Sequence, residues 1–426
     1  MRSYHVPAAL SLALTFSACG ETEEPPTDPP SERTVRSELA RDLTPDVPAA
    51  DLQTLIDGNH ALAVDLYQEL DTDDSNLLVS PLSIRMAFGL LQAGARGETA
   101  TEIADVLHYG LEGDALHAAF NSLDLTLASR NDPGDADHDP IALRTANAFW
   151  GQTGYAWNTD YLDTIALNYG AGVETLDYDT DAEGARETIN TWVEDATENR
   201  IVDLLPDGSL NSGTVAVLTN ALYLKAPWAT PFIPALTVDG DFNSPGGAVS
   251  AEFMNQLEAF GYVDGDGYQA LEMNYRLDEL SMVFVLPDEG QFDAFEDALT
   301  HDTFADIAGS LETTMGDVAI PKFEFEASFS LGAALQALGM ETAFLSADLS
   351  GMIDNGSLFI DAVYHKTFIA VDELGTEAAA ATAIVVGETS APTPEFSFRA
   401  DRPFMFFIRD RETGTVLFLG RVMDPS

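Results

Sequence analysis

Apolar residues recur at helical spacing through LQTLIDGNHALAVDLYQEL (52–70), and that period predicts the first helix of the chain. SPLSIRMAFGLLQAGARGETATEIADVLHY (80–109) predicts a buried Ala/Leu-rich helix followed by an amphipathic one. A further helix is read over ETINTWVEDATENRI, with Trp192 and Val193 on its apolar face. Beyond it the pattern changes to β-branched and aromatic runs: TVAVLTNALYLKA, LSMVFVLP, GDVAIPKFEFEASF, FMFFIRD and TGTVLFLGRVM. Helices dominate early and strands late, without regular βαβ alternation, so the predicted class is α+β. One run breaks the pattern. In VDELGTEAAAATAIVVGETSAPTPEFSF, Glu377 and four alanines favour helix, yet they lie between a strand-like segment and a Ser/Pro/Thr-rich one.

Two segments near the N-terminus fall outside the globular pattern. MRSYHVPAALSLALTFSAC has Arg2, a short apolar run and small residues, as a secretory signal would over 1–18. Its FSAC resembles a bacterial lipobox, which implies cleavage after Ala18, a diacylglyceryl group on Cys19 and a protein anchored to the cell envelope after crossing the inner membrane. A plain signal peptide with a chance cysteine is the alternative. Residues 19–50 are rich in Pro, Glu, Thr and Asp with few aromatics, and read as a flexible stalk before a globular unit over 51–426.

The charge balance then narrows the partners. The 426 residues hold 71 acidic and 19 basic side chains, a net charge of −52, and only Lys225, Lys322 and Lys366 are lysines. Such a surface repels nucleic acid, heparin-like polyanions and anionic lipid, leaving a lipid anchor as the expected membrane contact. It suits high salt, where screening weakens self-repulsion, or reflects an acidic lineage with GC-rich codons. Cys19 is the only cysteine, which excludes an intramolecular disulfide and thiol catalysis in the mature domain.

Catalytic signatures are missing: no G-x-S-x-G elbow, H-E-x-x-H, P-loop or dinucleotide fingerprint occurs. DTDDSNLL starts like a calcium loop but puts Asn76 and Leu82 where the glycine and bidentate glutamate belong. Asp135, Asp137 and Asp139 read as a solvated acidic turn, and the seven histidines show no ligand spacing. The expectation is a non-enzyme without metal or cofactor.

Five colinear segments resemble the serpin family. NLLVSPLSI (Asn76, Ser80, Pro81, Ser83) is similar to the family's shutter, where a strand meets a buried helix under a large sheet. TNALYLKAPWATPF matches at Asn220, Tyr223, Lys225, Trp228 and Phe232, with Trp228 at the breach. IPKFEFEASFSLGAALQALGMETAFLSADLSGM, DAVYHKTFIAVDELGTEAAAAT and FRADRPFMFFIRDRETGTVLFLGRV complete the match, and His365 joins the shutter and breach set. The resemblance implies helices with three β-sheets and a monomer with a reactive loop at about 373–397. That loop would offer a scissile bond to a protease, then insert into the large sheet and trap the acylated enzyme. Its hinge would be Glu373, Gly375, Thr376, Glu377, Ala378, Ala379, Ala380, Ala381 and Thr382. A non-inhibitory surface binding protein is the alternative.

Strand periodicity fits insertion. If Gly375 is the hinge, Thr376, Ala378, Ala380 and Thr382 share an inner, uncharged face, and Glu377 is expected on the water-facing side. The family register places the scissile bond at Thr389–Ser390, with Gly387 or Glu388 as alternatives to Thr389. Counting back from Pro403 gives Pro392 instead, so the two anchors differ by three residues. VVGETSAP holds no Arg, Lys or large aromatic, which disfavours a trypsin-like target. An elastase- or subtilisin-like serine protease fits Thr389 and a glutamate-specific one fits Glu388, while a cysteine protease stays open.

Overall fold

The computed structural model describes residues 33–70, 74–135, 138–354, 358–360, 363–377 and 393–426. The signal peptide, Cys19, hinge residues Ala378–Thr382, the bond at Thr389–Ser390 and its alternatives Gly387 and Glu388 lie outside them.

In chain order the first part comprises β1 (Thr34–Val35), α1 (Ala49–Leu70), β2 (Leu77–Val79), α2 (Pro81–Gln92), α3 (Gly97–Val106) and α4 (Gly113–Ala128). Then come β3 (Ala142–Gln152), α5 (Thr159–Tyr169), β4 (Val173–Leu176), α6 (Tyr178–Ala196), β5 (Ala216–Pro227), β6 (Val238–Ser244) and β7 (Gly247–Asp264). The chain continues through β8 (Tyr268–Asn274), β9 (Leu280–Pro287), α7 (Phe292–Asp297), α8 (Thr303–Ser310), β10 (Glu312–Pro321) and β11 (Phe323–Ser330). The last elements are α9 (Gly332–Ala337), α10 (Thr342–Leu345), β12 (Val363–Val371), β13 (Gly375–Thr376), β14 (Phe396–Arg399), β15 (Phe404–Asp410) and β16 (Val416–Val422).

Hydrogen bonding joins the strands into two networks. The large sheet runs β1-β4-β3-β5-β13-β12-β11. The second runs β14-β10-β7-β8-β9-β15-β16-β2, with β6 on β7. The eighteen-residue β7 is the reason that one network replaces two smaller sheets: its first part pairs with β6, its middle with β10 and its end with β8.

Between the networks lies α2. Pro81 at its first position presets the helical φ, Ser80 caps it by accepting from the Ser83 amide at 3.4 Å, and Pro81 through Leu91 are all buried. A helix buried on every side, Ser83 and Arg85 included, belongs inside a core, and this one supports the inner face of the large sheet. On the outer face lies α6. Its Tyr178 and Ile189 pack on Ala148, Trp150 and Val217, while Val193, Ile201 and Leu204 pack on Ala146 and Ala221. That double cover explains why β5 is buried almost without a break instead of on alternate residues, its Thr219 and Asn220 included.

The stalk expected over 19–50 requires a correction from residue 33 onward. Thr34 and Val35 add a strand to β4, the Arg41 guanidinium bonds Asp124 at 2.6 Å and Asn121 at 2.8 Å, and the Asp42 amide donates to the Leu167 carbonyl at 2.9 Å. Composition misled because strand pairing with the edge strand β4 and polar bonds to α4 and α5 hold this segment.

Candidate functional site

The sheet is a closed seam at one end and a wedge at the other. At the closed end β5 and β12 pair directly, Leu218 with Val363, Thr219 with Tyr364 and Asn220 with His365. Towards the opposite end β13 stands between them, Thr376 beside Ala226 on one side and Val371 on the other. Gly375 and Thr376 of the hinge are therefore already a strand of the sheet.

At the closed end the polar groups form one buried chain. The His365 Nε2 accepts from the Ser80 amide at 3.1 Å, which leaves the proton on Nδ1 to donate to Asn220 Oδ1 at 2.6 Å. Asn220 donates to Asn147 Oδ1 at 2.8 Å, and the Ser83 hydroxyl donates to Asn220 Oδ1 at 3.0 Å. The Thr367 hydroxyl ties β12 to the Leu78 carbonyl at 2.9 Å. Burial lowers the His365 pKa to about 3, so the ring is neutral and matches this pattern. Asn76, grouped with these residues by sequence, lies elsewhere. It accepts from the Met423 and Asp424 amides and donates to the Asp424 carbonyl, pinning the C-terminus.

The open end is built around Trp228. Its indole donates to the Asp372 carbonyl at 3.0 Å and its amide donates to the Leu374 carbonyl at 2.8 Å. Its ring stacks on Tyr275 with centroids 4.7 Å apart. Beneath the hinge the Tyr275 and Thr376 hydroxyls lie 2.6 Å apart, and Thr376 is 2% exposed. Gly375 is required by space: a Cβ there would lie 2.2 Å from the Ala226 carbonyl oxygen. Glu373 accepts from the Thr237 hydroxyl at 2.7 Å and faces Lys322 at 3.3 Å. Burial opposes its ionisation, but these partners hold its carboxyl below the ordinary glutamate value.

Glu377 departs from the expected arrangement. Its side chain is only 6% exposed, and its carboxylate pairs with Arg200. Periodicity did place it on the outer face, but residues after α6 cover that face at this point. Burial accordingly raises its pKa, against the pull of Arg200. Arg200, Tyr275 and Thr237 lie outside the segments that carry the resemblance, and Lys322 lies within one without being singled out there; only their placement around the hinge marks them. Among the described residues no group of three or more His, Cys, Asp or Glu is placed to hold a metal ion.

Comparison with known proteins gives a consistent result. Residues 57–425 match the family model described as Serpin (serine protease inhibitor). The chain is 40% identical to an uncharacterized serpin-like protein of Thermococcus kodakarensis, covering 87% of this chain and 86% of the relative. Leukocyte elastase inhibitor of Homo sapiens is 33% identical, covering 88% and 100% respectively. The crystal structure of a thermophilic serpin, tengpin, in the native state superposes with a TM-score of 0.79 at 28% identity, covering 92% and 97%.

Proposed function

Since the chain belongs to the serpin family, whose members include protease inhibitors, we propose that it is an irreversible suicide-substrate inhibitor of a small-residue-specific protease. The observation that carries this reading is the seat of Thr376 between β5 and β12, above a seam still closed by Asn220 and His365. A sheet that holds the first pair of a strand, followed by residues small enough to enter behind it, is arranged to take in the rest.

The chemistry follows from the loop. The nucleophile of the protease adds to the carbonyl carbon of Thr389, or of Glu388 in the alternative register. The peptide bond to the next residue breaks, and its nitrogen leaves as the protonated amine. The loop N-terminal to the cut is then tethered only at Gly375. Thr376 leads an uncharged inner face along the seam, displacing the direct pairing of β5 with β12. The acylated protease is carried along before water can release it. Inserting a strand into an existing sheet satisfies its backbone groups on both sides, which drives the step.

An elastase- or subtilisin-like enzyme fits Thr389, a glutamate-specific one fits Glu388, and the elastase inhibitor among the relatives favours the first. Incubation with a panel of such enzymes, a trypsin-like and a cysteine protease included, should give an SDS-resistant complex with the small-residue-specific members. Cleaved loop and fully active enzyme across the whole panel would refute inhibition and favour a surface binding protein.

For localisation the same reading combines the signal peptide with a lipid on Cys19, tethering a monomeric inhibitor to the cell envelope of a salt-adapted cell. Cys19→Ser should move the protein from the membrane to the soluble fraction; an unchanged distribution would refute the anchor.

A further inference from the structure

We propose that Arg200 is a positioning residue that holds the hinge in its partly inserted register through the Glu377 carboxylate. This rests on the reading that the loop inserts into the large sheet. Trp228, Thr237 and Lys322 anchor Asp372 to Leu374, but the inserted strand β13 that follows is only two residues long. Immediately after it the chain turns away: Glu377 adopts φ +58°, a left-handed backbone uncommon for glutamate, while its amide still donates to the Ala370 carbonyl at 3.0 Å. The carboxylate pairs with Arg200, but its Oε2 is buried and accepts no hydrogen bond. The neighbouring Tyr223 hydroxyl donates to Glu198 Oε2 at 3.3 Å, and Tyr223 and Lys225 also favour the Glu377 charge, less than Arg200 does. Arg200 is thus the main compensation for a buried, incompletely solvated charge.

Arg200 is in turn fixed from below and from the side. Its guanidinium lies 5.5 Å over the Phe368 ring of β12, and its amide donates to the Thr197 carbonyl at 2.9 Å. The segment carrying it is anchored by buried Ile201 and Leu204, by the Lys366 ammonium donating to the Val202 carbonyl at 2.9 Å, and by the Glu198–Arg144 pair at 3.0 Å. It crosses the outer face from β3 over β5 to β12, at the line a lengthening strand would follow. For the loop to advance, Glu377 must exchange its left-handed turn for extended backbone, which moves the carboxylate relative to Arg200. For the hinge to withdraw, the pair must part. Either motion breaks the same contact.

Hydrogen exchange of the hinge amides tests this without any protease. Arg200→Ala leaves a buried carboxylate unpaired, so the hinge should withdraw and exchange about tenfold faster or more. Arg200→Lys should retain part of the protection. In a Glu377→Gln background, Arg200→Ala should add almost nothing, because the contact is already gone. A synthetic peptide of residues 376–389 should anneal faster into Arg200→Ala, the hinge having vacated the seam. Unchanged exchange and annealing in a folded Arg200→Ala protein, or fully additive effects in the double variant, would overturn the proposal. Failure to trap proteases with these effects present would sink the inhibitory reading alone; trapping with them absent would sink only the role of Arg200.

Discussion

The Tyr275 hydroxyl meets the Thr376 hydroxyl at 2.6 Å, within a breach otherwise lined by the stacked Trp228 and Tyr275 rings. The first inserted side chain is therefore held by one hydrogen bond in an almost dry site. A threonine fits because its hydroxyl finds a partner and its methyl group is small; a charge would find neither water nor counter-ion.

Thr376→Arg should expel the hinge, since burying an unpaired guanidinium costs several kcal/mol. The variant should be cleaved as a substrate, with the moles of inhibitor consumed per protease trapped rising by about tenfold or more. Titration of a susceptible protease measures this ratio. A ratio equal to the parent's would mean that the inner face does not control insertion.

Gly375→Val addresses the same strand by shape alone. The added Cβ collides with the Ala226 carbonyl at 2.2 Å, and backbone at that point has nowhere to shift. Faster exchange at Gly375 and Thr376 is expected while the closed end, around His365, keeps its protection. Equal protection at the hinge would contradict the observed seat of β13.

Acid should weaken the native state through the closed end of the sheet. Burial depresses the His365 pKa to about 3 and the His117 pKa to about 4, and His60 shifts the same way. Unfolding lets each ring regain its ordinary value near 6.5, so the unfolded chain takes up protons that the folded one refuses. The contribution of neutral His365 is intact above about pH 6.5 and is lost as pH falls toward its folded value, by about 2 kcal/mol at pH 5. His365→Gln can keep both hydrogen bonds without titrating and should flatten that share of the loss. Urea midpoints at pH 7 and pH 5 report it, and an equal drop in both proteins would remove His365 from the account.

The parts of the site legible in the sequence are those whose chemistry is local. Ser80 and Pro81 announce a capped helix start, and the helical period of 80–109 gives both helices that follow. Gly375 was singled out at a position where a Cβ would meet the Ala226 carbonyl oxygen; the small residues after Glu377 lie outside the described residues. Contacts joining distant segments left no such trace. Tyr275 is 101 residues from Thr376, and Arg200 lies in the connection from α6 to β5, at the end of a stretch that the sequence pattern reads as helix although α6 ends at Ala196. Glu377 was placed on the correct face by periodicity, but periodicity does not report that α6 and its following residues roof that face. The reach of 33–50 was missed for a related reason: its bonds are made to β4, α4 and α5, more than 70 residues further on, and local composition does not reveal them.

The central claim is that the large sheet is incomplete until the loop enters it. The thermal midpoint before and after a single cut near Thr389 tests that most directly. Insertion of the freed strand between β5 and β12 should raise the midpoint by at least about 10 °C. A cleanly cleaved protein with an unchanged midpoint would contradict the account.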